Sequence, residues 1–294
     1  MRRFLYLIRE AYAERRESMK EGTKNKKDDL FSGRTFQVED FSEPYNIKNE
    51  VITLIDHFME EMQNLYSHIS EKASEHIHAK YFPQKEIFFF FPLIPKIETN
   101  ESEVILTIGK SKTVEHFLVA AARKRQFEVI VAESAPKGVG KLMATELANN
   151  KIKTTIISDA AIFAIMARVN KVIIGVHAVL ANGGLLACTG AAMLCSAAKY
   201  HNVPVVALVP LYKLTPLFPN ENQDTFNDLN SPAQVLPFEE ADSKGDVVVK
   251  NPGFDYVSPE NVNLFITNSP AGGHNPSYIY RLLAEFYHPD DATL

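Results

Sequence analysis

The spacing of apolar residues divides the chain into two regions of different character. In residues 1–79 the apolar positions recur every three or four residues, which is typical of amphipathic helices. One helix is predicted over residues 1–17 and a longer one over residues 49–79. From Val104 onwards, short apolar runs alternate with helical segments, which indicates successive βαβ units.

The second region follows the pattern of a parallel sheet with helices on both faces. We predict strands at 104–109, 127–133, 152–158, 171–175 and 203–210, and helices at 113–125, 140–150, 159–169 and 187–201. The strands show no polar alternation, as expected when both faces of a sheet are covered. We therefore predict an α/β fold, in which a Rossmann-like parallel sheet domain over residues 101–294 is preceded by a helical domain over residues 1–79.

Two features of the amino-terminal half depart from this plan. The first helical pattern begins without a preceding capping residue, so we expect the helical domain to be incomplete. Residues 80–100 contain four consecutive phenylalanines and three prolines and follow neither periodicity. Their apolar stretch is too short for a membrane span, which needs about 20 residues. This insert is either the translation of a retained intron or a hydrophobic element that docks on a partner.

Composition limits the classes of partner. The net charge of −5 over 294 residues predicts no direct binding to nucleic acid. Arg9 and Glu10 interrupt the first apolar stretch, so it is not a signal peptide, and we expect no membrane association. Cys188 and Cys195 are predicted to be free thiols in a reducing compartment, on similar faces if one helix covers both.

Candidate chemistry lies where predicted strands end. The strand at 172–175 opens into a loop with His177 and an Asn-Gly-Gly turn, and ligands of open α/β sheets bind at such loops. His177 is therefore either a catalytic group or the remnant of an emptied site. Gly-Lys-Ser at 109–111 and Gly-Lys at 140–141 each lack residues that a phosphate-binding loop requires. Ser158 and Asp159 are predicted to cap the helix that follows them.

Two long runs carry a family resemblance. ILTIGKSKTVEHFLVAAARKRQFEVIVAESAP (105–136) and TTIISDAAIFAIMARVNKVIIGVHAVLANGGLLA (154–187) resemble the alpha/beta/delta regulatory-subunit family of eukaryotic translation initiation factor 2B. Its superfamily includes methylthioribose-1-phosphate isomerase and ribose-1,5-bisphosphate isomerase. The runs PLYKLTPLFPNE and FDYVSPENVNLFITN, with the tail from Asn275, are similar to the beta branch of the family.

The resemblance implies that the crevice is vestigial. It places the isomerases' active-site cysteine at Gly109, their two aspartates at His177 and Gly184, and their Asn-Lys pair at Ala187 and Cys188. An aldose–ketose isomerase needs a positioned general base and a positioned general acid. The glycines at these positions can supply neither group, and one histidine cannot supply both. We therefore expect no catalytic residue, no cofactor and no metal.

The function implied is that of a non-catalytic regulatory subunit of the guanine-nucleotide exchange factor for initiation factor 2. It would act in the cytosol, with alpha, delta, gamma and epsilon subunits as partners, and contribute to binding the alpha subunit of initiation factor 2. Aromatic, apolar and Arg side chains of the carboxyl-terminal half are the interface candidates. They are Tyr212, Leu217, Phe218, Tyr280 and Arg281.

Two alternatives stay open. One is a protein that senses a sugar phosphate or nucleotide through the vestigial crevice, where Lys110, Lys112 and His177 would attract the anion. The other is an aldose–ketose phosphate isomerase that uses His177.

Overall fold

The computed structural model describes residues 8, 9, 12, 48–77, 103–219, 227–241, 247–269 and 273–287. The chain divides into two compact units, one of residues 1–64 and 284–294 and one of residues 65–283. The predicted boundaries near residues 79 and 100, and the insert between them, lie outside the described residues. The predicted domain division therefore stays a prediction.

The long amphipathic pattern forms helix α1 (Lys48–Glu71) and the short helix α2 (Ala73–His76). In the larger unit, Leu65, Ile69, Ala73 and Ile77 are buried at intervals of four, as the apolar pattern predicts. The helix ends at His76, three residues before the predicted end, where the His76 main-chain carbonyl accepts a hydrogen bond from the Lys171 ammonium.

Among the described residues, the larger unit is built around a seven-stranded sheet with the order β10-β9-β7-β4-β1-β2-β3, in which β10 is antiparallel to its neighbour and the other pairs are parallel. A second sheet, β5-β6-β8, is antiparallel. The strands in this part of the chain are β1 Glu103–Ile108, β2 Phe127–Ala132, β3 Lys153–Ile157, β4 Lys171–Gly175, β5 Ala178–Val179, β6 Leu185–Cys188, β7 Val205–Leu208, β8 Phe254–Val257, β9 Leu264–Ile266 and β10 Gly273–His274. The predicted Rossmann-like α/β fold is confirmed.

The remaining α-helices described are α3 Lys112–Ala122, α4 Gly140–Asn149, α5 Ile162–Ile165, α6 Ala191–Tyr200, α7 Phe238–Ala241 and α8 Ile279–Phe286. Of these, α3 to α6 follow the strands in the predicted order, and α7 and α8 lie after the last predicted strand. No helix in the part of the chain that the structure describes is long and apolar enough to cross a membrane.

Two predicted helices differ from the structure. The helix predicted at 159–169 is the single α-turn of α5, flanked by 3-10 turns. The helix predicted at 187–201 begins only at Ala191, because Leu185–Cys188 pair with β5 and β8 as strand β6. Cys188 and Cys195 therefore do not share a helix, so the condition under which they would lie on similar helical faces is not met.

The strand order reverses between β1 and β4. From β1 the chain proceeds through β2 to β3, and from β4 it proceeds through β7 to β9 on the other side. The loops that leave β1 and β4 therefore separate, and they leave a crevice at the carboxyl ends of these strands. Gly109 follows β1 and His177 lies two residues after β4, so this topology brings both predicted positions to the crevice.

A buried ion pair ties the first sheet strand to β4. The Lys171 ammonium lies 3.1 Å from a carboxylate oxygen of Glu103, and both side chains are largely buried. Replacing Lys171 by Met would leave the Glu103 carboxylate buried without its counter-charge. We expect Lys171→Met to lower the free energy of unfolding by about 3–5 kcal/mol in urea titrations.

The matched control for this prediction is Lys153→Met. Lys153 forms an ion pair of 2.8 Å with Glu128, but the Lys153 side chain is 73% exposed. We expect this change to cost less than about 1 kcal/mol, because exposed pairs are screened by water. Equal losses for the two variants would contradict the assigned role of Lys171.

Candidate functional site

Gly109 lies where β1 ends, and its backbone has a φ of +65°, which favours glycine. Its main-chain N–H donates to the carbonyl oxygen of Ala132 at 3.1 Å. A Cβ atom at Gly109 would lie 3.3 Å from the sulfur of Cys188 and 3.5 Å from the hydroxyl oxygen of Ser134. The space beside Gly109 is therefore bordered by a thiol and a hydroxyl from other parts of the chain.

Cys188 also lies at the crevice, on a strand rather than in the helix that the sequence pattern predicted. It is the last residue of β6, and burial raises the pKa of its thiol to about 11, with the Asp255 and Asp159 carboxylates acting in the same direction. The hydrogen bond with Ser134 opposes this shift but does not outweigh it. The thiol is therefore protonated near neutral pH, and a protonated thiol is a poor nucleophile.

Two carboxylates near the crevice are bound to main-chain amides. Asp159 accepts hydrogen bonds from the amides of Ser134, at 2.9 Å, and Ala135, at 2.6 Å. Asp255 on β8 accepts from the amides of Gly190, at 2.8 Å, and Ala192, at 3.1 Å, at the start of α6. Such amides are the groups that bind a ligand phosphate in related folds. Here carboxylates of the chain itself occupy them.

The predicted capping role of Ser158 is wrong. Ser158 precedes the 3-10 turn at 159–161, but its side chain makes no capping hydrogen bond. Asp159 instead reaches back to the loop after β2, a long-range contact that the local sequence pattern does not encode.

His177 is exposed at the mouth of the crevice. Its main-chain N–H donates to the Leu186 carbonyl at 2.8 Å, and its ring lies 4.4 Å from the ring of Phe254. Partial burial lowers the pKa of His177, the Lys213 ammonium lowers it further, and the Asp228 carboxylate opposes both effects. His177 is therefore mainly a neutral imidazole at pH 7.

Lys213 is a crevice residue that sequence reasoning missed. It follows β7 and donates from its ammonium to the carbonyl oxygen of Val176 at 2.6 Å, and burial lowers the pKa of Lys213. A single lysine in an apolar run does not indicate this position in the sequence. The contact joins the loops that follow β4 and β7, and the end of β4 at Gly175 is 30 residues from the start of β7 at Val205.

Gly184 lies in the turn between β5 and β6, away from the β1 end. A Cβ atom at Gly184 would lie 2.5 Å from a ring carbon of Tyr256 and 2.6 Å from its hydroxyl oxygen. The Tyr256 hydroxyl in turn accepts a hydrogen bond from the Asn182 side-chain amide at 2.8 Å. Position 184 therefore has no room for a side chain while Tyr256 holds this conformation.

The lysines predicted to attract an anion have other contacts. The Lys110 ammonium lies 2.5 Å from a carboxylate oxygen of Glu146 on α4. Ser111 caps α3 by accepting from the amide of Val114, and Lys112 is exposed in the first turn of that helix. The cation that acts on His177 is Lys213, not Lys110 or Lys112.

The predicted interface residues fall in two places. Tyr212 and Phe218 are exposed, and the half-buried Leu217 accepts a hydrogen bond at its carbonyl from the Ala181 amide. On α8, Tyr280 and Arg281 are exposed, and the Arg281 Nε donates to the Tyr280 hydroxyl at 3.2 Å. Their role in an interface stays a prediction.

Sequence reasoning missed an exposed aromatic cluster on α5 and α6. The Phe163 ring lies 5.1 Å from the Tyr200 ring and 5.0 Å from the His201 ring. Phe163 and Tyr200 are both more than half exposed. The cluster joins two helices that are adjacent only in the folded chain, so no local pattern indicates it.

These observations define the class of protein. It is a doubly wound α/β protein with a crevice at the strand-order reversal, where a protonated thiol lies near two carboxylates held by main-chain amides and a histidine lies near a half-buried lysine. Residues 12–276 match the model of the Initiation factor 2 subunit family. The chain belongs to this family.

Curated relatives agree with this assignment. The chain is 48% identical over 253 residues to translation initiation factor eIF2B subunit beta of Dictyostelium discoideum. This alignment covers 86% of this chain and 59% of the relative. It is 41% identical over 247 residues to the same subunit of Schizosaccharomyces pombe, and this alignment covers 83% of this chain and 56% of the relative. The chain thus spans less than two thirds of the length of these relatives. The resemblance to the beta branch is confirmed.

Solved structures share the fold. The crystal structure of eIF2B beta from Chaetomium thermophilum matches 99% of this chain and 72% of that chain, with a TM-score of 0.66 and 25% identity. A chain of the tetrameric eIF2B-beta2-delta2 complex of C. thermophilum matches 82% of this chain over 66% of its own length, with a TM-score of 0.59 and 27% identity. The 5-methylthioribose 1-phosphate isomerase of Pyrococcus horikoshii OT3 matches 85% and 66%, with a TM-score of 0.60; at 21% identity this likeness concerns the fold alone.

The raised pKa values predict that the thiols of the folded protein react slowly. Burial raises the pKa of Cys188 to about 11 and that of Cys195 to about 12. We expect neither thiol to react with a thiol reagent such as 5,5′-dithiobis(2-nitrobenzoate) at pH 8 in the folded chain, and both to react after unfolding in guanidinium. Cys188→Ser should reduce the count in guanidinium from two to one. Rapid labelling of Cys188 in the folded chain would contradict a protonated thiol.

The lowered pKa of His177 makes stability depend on pH. Its ordinary value is 6.5, and the folded value lies below it, so the unfolded chain binds the proton more readily. Stability is therefore lost as pH falls through the unfolded pKa. We expect urea unfolding of His177→Gln to show a smaller loss between about pH 7 and pH 5 than the unsubstituted chain.

Lys213→Met tests the cause of that shift. Removing the ammonium should raise the pKa of His177 towards its ordinary value, as followed by NMR titration of the imidazole Cε1 proton. A His177 pKa at or above 6.5 in the unsubstituted chain would refute the assignment.

Proposed function

We propose that this chain is a non-catalytic regulatory subunit of the guanine-nucleotide exchange factor for translation initiation factor 2. In this role it assembles with a delta-type subunit, together with alpha, gamma and epsilon subunits, in the cytosol. It contributes surface for binding the alpha subunit of initiation factor 2. The relatives named eIF2B subunit beta and the solved beta2-delta2 complex support the assembly role.

The crevice geometry is the observation that favours a non-catalytic role over an isomerase. Moving a proton between two carbons needs a base and an acid placed at both. Gly109 offers no side chain, Tyr256 fills the space beside Gly184, and the nearest thiol is protonated. Asp159 and Asp255 are held by main-chain amides. His177 remains together with Lys213, whose ammonium is bound to the Val176 carbonyl, so the described residues do not place a base and an acid at both ends of the transfer.

A second candidate is a sensor of a small anion. The Lys213 ammonium lowers the pKa of His177, so it contributes a positive potential at the mouth of the crevice, which the Asp228 carboxylate opposes. A sugar phosphate or nucleotide monophosphate would meet this potential. Against it, Lys110 is already paired with Glu146, and the amides at the start of α6 are bound by Asp255.

Co-expression tests the proposed function. We expect the 294-residue chain to be poorly recovered when it is produced alone and to be recovered in equal amounts with a delta-type subunit when the two are produced together. The reason is that predicted interface residues such as Phe218 and Tyr280 are exposed in the isolated chain. Size-exclusion chromatography with mass measurement reports the assembly.

Two parallel measurements separate the alternatives. Turnover of methylthioribose 1-phosphate by the chain alone, lost in His177→Gln, would establish an isomerase instead. A rise in melting temperature with ribose 5-phosphate or adenosine monophosphate, lost in Lys213→Met, would establish the sensor. A monodisperse chain that ignores the delta-type subunit would overturn the proposed function.

A further inference from the structure

Two glutamates of neighbouring helices meet beside the loop that follows β1. Glu115 lies in the first turn of α3, and Glu146 lies on α4, which packs against α3. Their carboxyl groups are hydrogen-bonded to each other. The Lys110 ammonium lies 2.5 Å from Oε1 of Glu146. These three side chains form a cluster that joins the two helices to the residue directly after Gly109 at the crevice.

The second oxygen of Glu146 shows what the contact requires. Oε2 is buried, and no amide, ammonium or hydroxyl of the described residues donates a hydrogen bond to it. An ionised carboxylate only accepts hydrogen bonds, so two ionised carboxylates in contact repel each other and satisfy neither. A protonated carboxyl donates through its O–H, and a hydrogen bond from O–H to a carboxylate is short and strong. The contact between Glu115 and Glu146 therefore requires one proton.

The surroundings assign this proton to Glu115. Burial raises the pKa of Glu115, and the hydrogen bond with Glu146 and the charge of Glu146 raise it further, while Lys110 and Lys112 oppose these effects. The hydrogen bond from Lys110 lowers the pKa of Glu146, and the hydrogen bond with Glu115 acts in the same direction. The two carboxyls thus divide into an acid and a carboxylate, as closely spaced carboxyl pairs do.

Charged groups on the other elements packed against α3 and α4 have contacts elsewhere. On α2, Glu75 acts on the pKa of Lys72, and the His76 carbonyl binds Lys171. The ion pairs of the remaining elements are Lys171 with Glu103, Lys153 with Glu128, and Lys141 with Glu133. On α3 itself, the His116 ring stacks on the Tyr66 ring at 4.7 Å. The cations that act on the two glutamates are Lys110 and Lys112.

We propose that Glu115 and Glu146 hold one proton between them and act as a pH-sensitive contact between α3 and α4 at the edge of the crevice. With the proton bound, the O–H bond to the carboxylate and the Lys110 ion pair hold the two helices together. Without it, two carboxylates repel each other at the start of α3. The contact lies within the larger unit, and it does not depend on whether the chain is a regulatory subunit.

The sign of the pH dependence follows from the two shifts. The ordinary pKa of both groups is 4.5. Because the folded pKa of Glu115 is higher, its contribution to stability is complete below pH 4.5 and is lost as pH rises through the folded value. Because the folded pKa of Glu146 is lower, its contribution is present above pH 4.5 and is lost as pH falls through the folded value. The pair therefore stabilises the fold most close to pH 4.5.

Urea unfolding of matched variants of the full chain tests this proposal. Glu115→Gln keeps a hydrogen-bond donor and removes the like charge, so we expect its urea midpoint at about pH 8 to equal or exceed that of the unsubstituted chain. This advantage should shrink as pH falls to about 5, because the unsubstituted chain then gains its proton.

Glu128→Gln is the control for these measurements. Glu128 accepts from Lys153 at 2.8 Å, and the hydrogen bond with Lys153 lowers its pKa, so it is an ordinary paired carboxylate. We expect Glu128→Gln to have a lower urea midpoint than the unsubstituted chain by the same amount at about pH 8 and about pH 5. The two Glu→Gln changes should therefore differ in sign at the higher pH.

NMR titration of the glutamate side-chain carboxyl carbons measures the proton directly. In the unsubstituted chain Glu115 should titrate above pH 4.5 and Glu146 below it. Glu146→Gln removes the neighbouring charge and frees Lys110, so the titration midpoint of Glu115 should fall towards 4.5. Glu128→Gln should leave the midpoint of Glu115 unchanged.

Three results would overturn the proposal. One is a Glu115 midpoint at or below 4.5 in the unsubstituted chain. Another is a raised Glu115 midpoint that Glu146→Gln does not lower, since burial alone would then account for it. The third is an equal loss of stability in Glu115→Gln and Glu128→Gln at both pH values, which would make Glu115 an ordinary ionised carboxylate.

Discussion

The reversal of strand order between β1 and β4 is the constraint on which the rest of the structure depends. Adjacent parallel strands whose connections run to opposite sides must leave a crevice at their carboxyl ends. Gly109 and His177 lie at this crevice because each follows one of the two strands. The small antiparallel sheet then adds Cys188 and Asp255, and its pairing of β6 with β8 fixes where both groups lie.

Five of the seven strands of the main sheet, all but β9 and β10, were predictable from the sequence because their signals are local. The strands at 127–133 and 171–175 are apolar runs between helical segments, and the structure places β2 and β4 within one residue of them. The helix at 187–201 was predicted too long for the opposite reason. Leu185–Cys188 become a strand only because β5 and β8 pair with them, and β8 lies more than 60 residues away.

The candidate site shows the same division between local and long-range information. Family resemblance was sufficient to single out positions 109, 177 and 184. It did not predict that the Cys188 thiol would lie beside Gly109, or that Lys213 would lie close enough to lower the pKa of His177. Nor did it indicate that Asp159 would bind the amides of the loop after β2. Each of these contacts joins segments more than 20 residues apart in sequence, so local spacing patterns do not predict them.

The crevice also has a structural role, and the contacts of β8 show what it is. Phe254 packs its ring on His177, and its main chain forms hydrogen bonds with the side chain of Asn227. The neighbouring Asp255 is fixed by the start of α6. Asp228, next to Asn227 in the chain, acts on the pKa of His177. The crevice wall and residues 227 and 228 are therefore one continuous set of contacts, and β8 joins them.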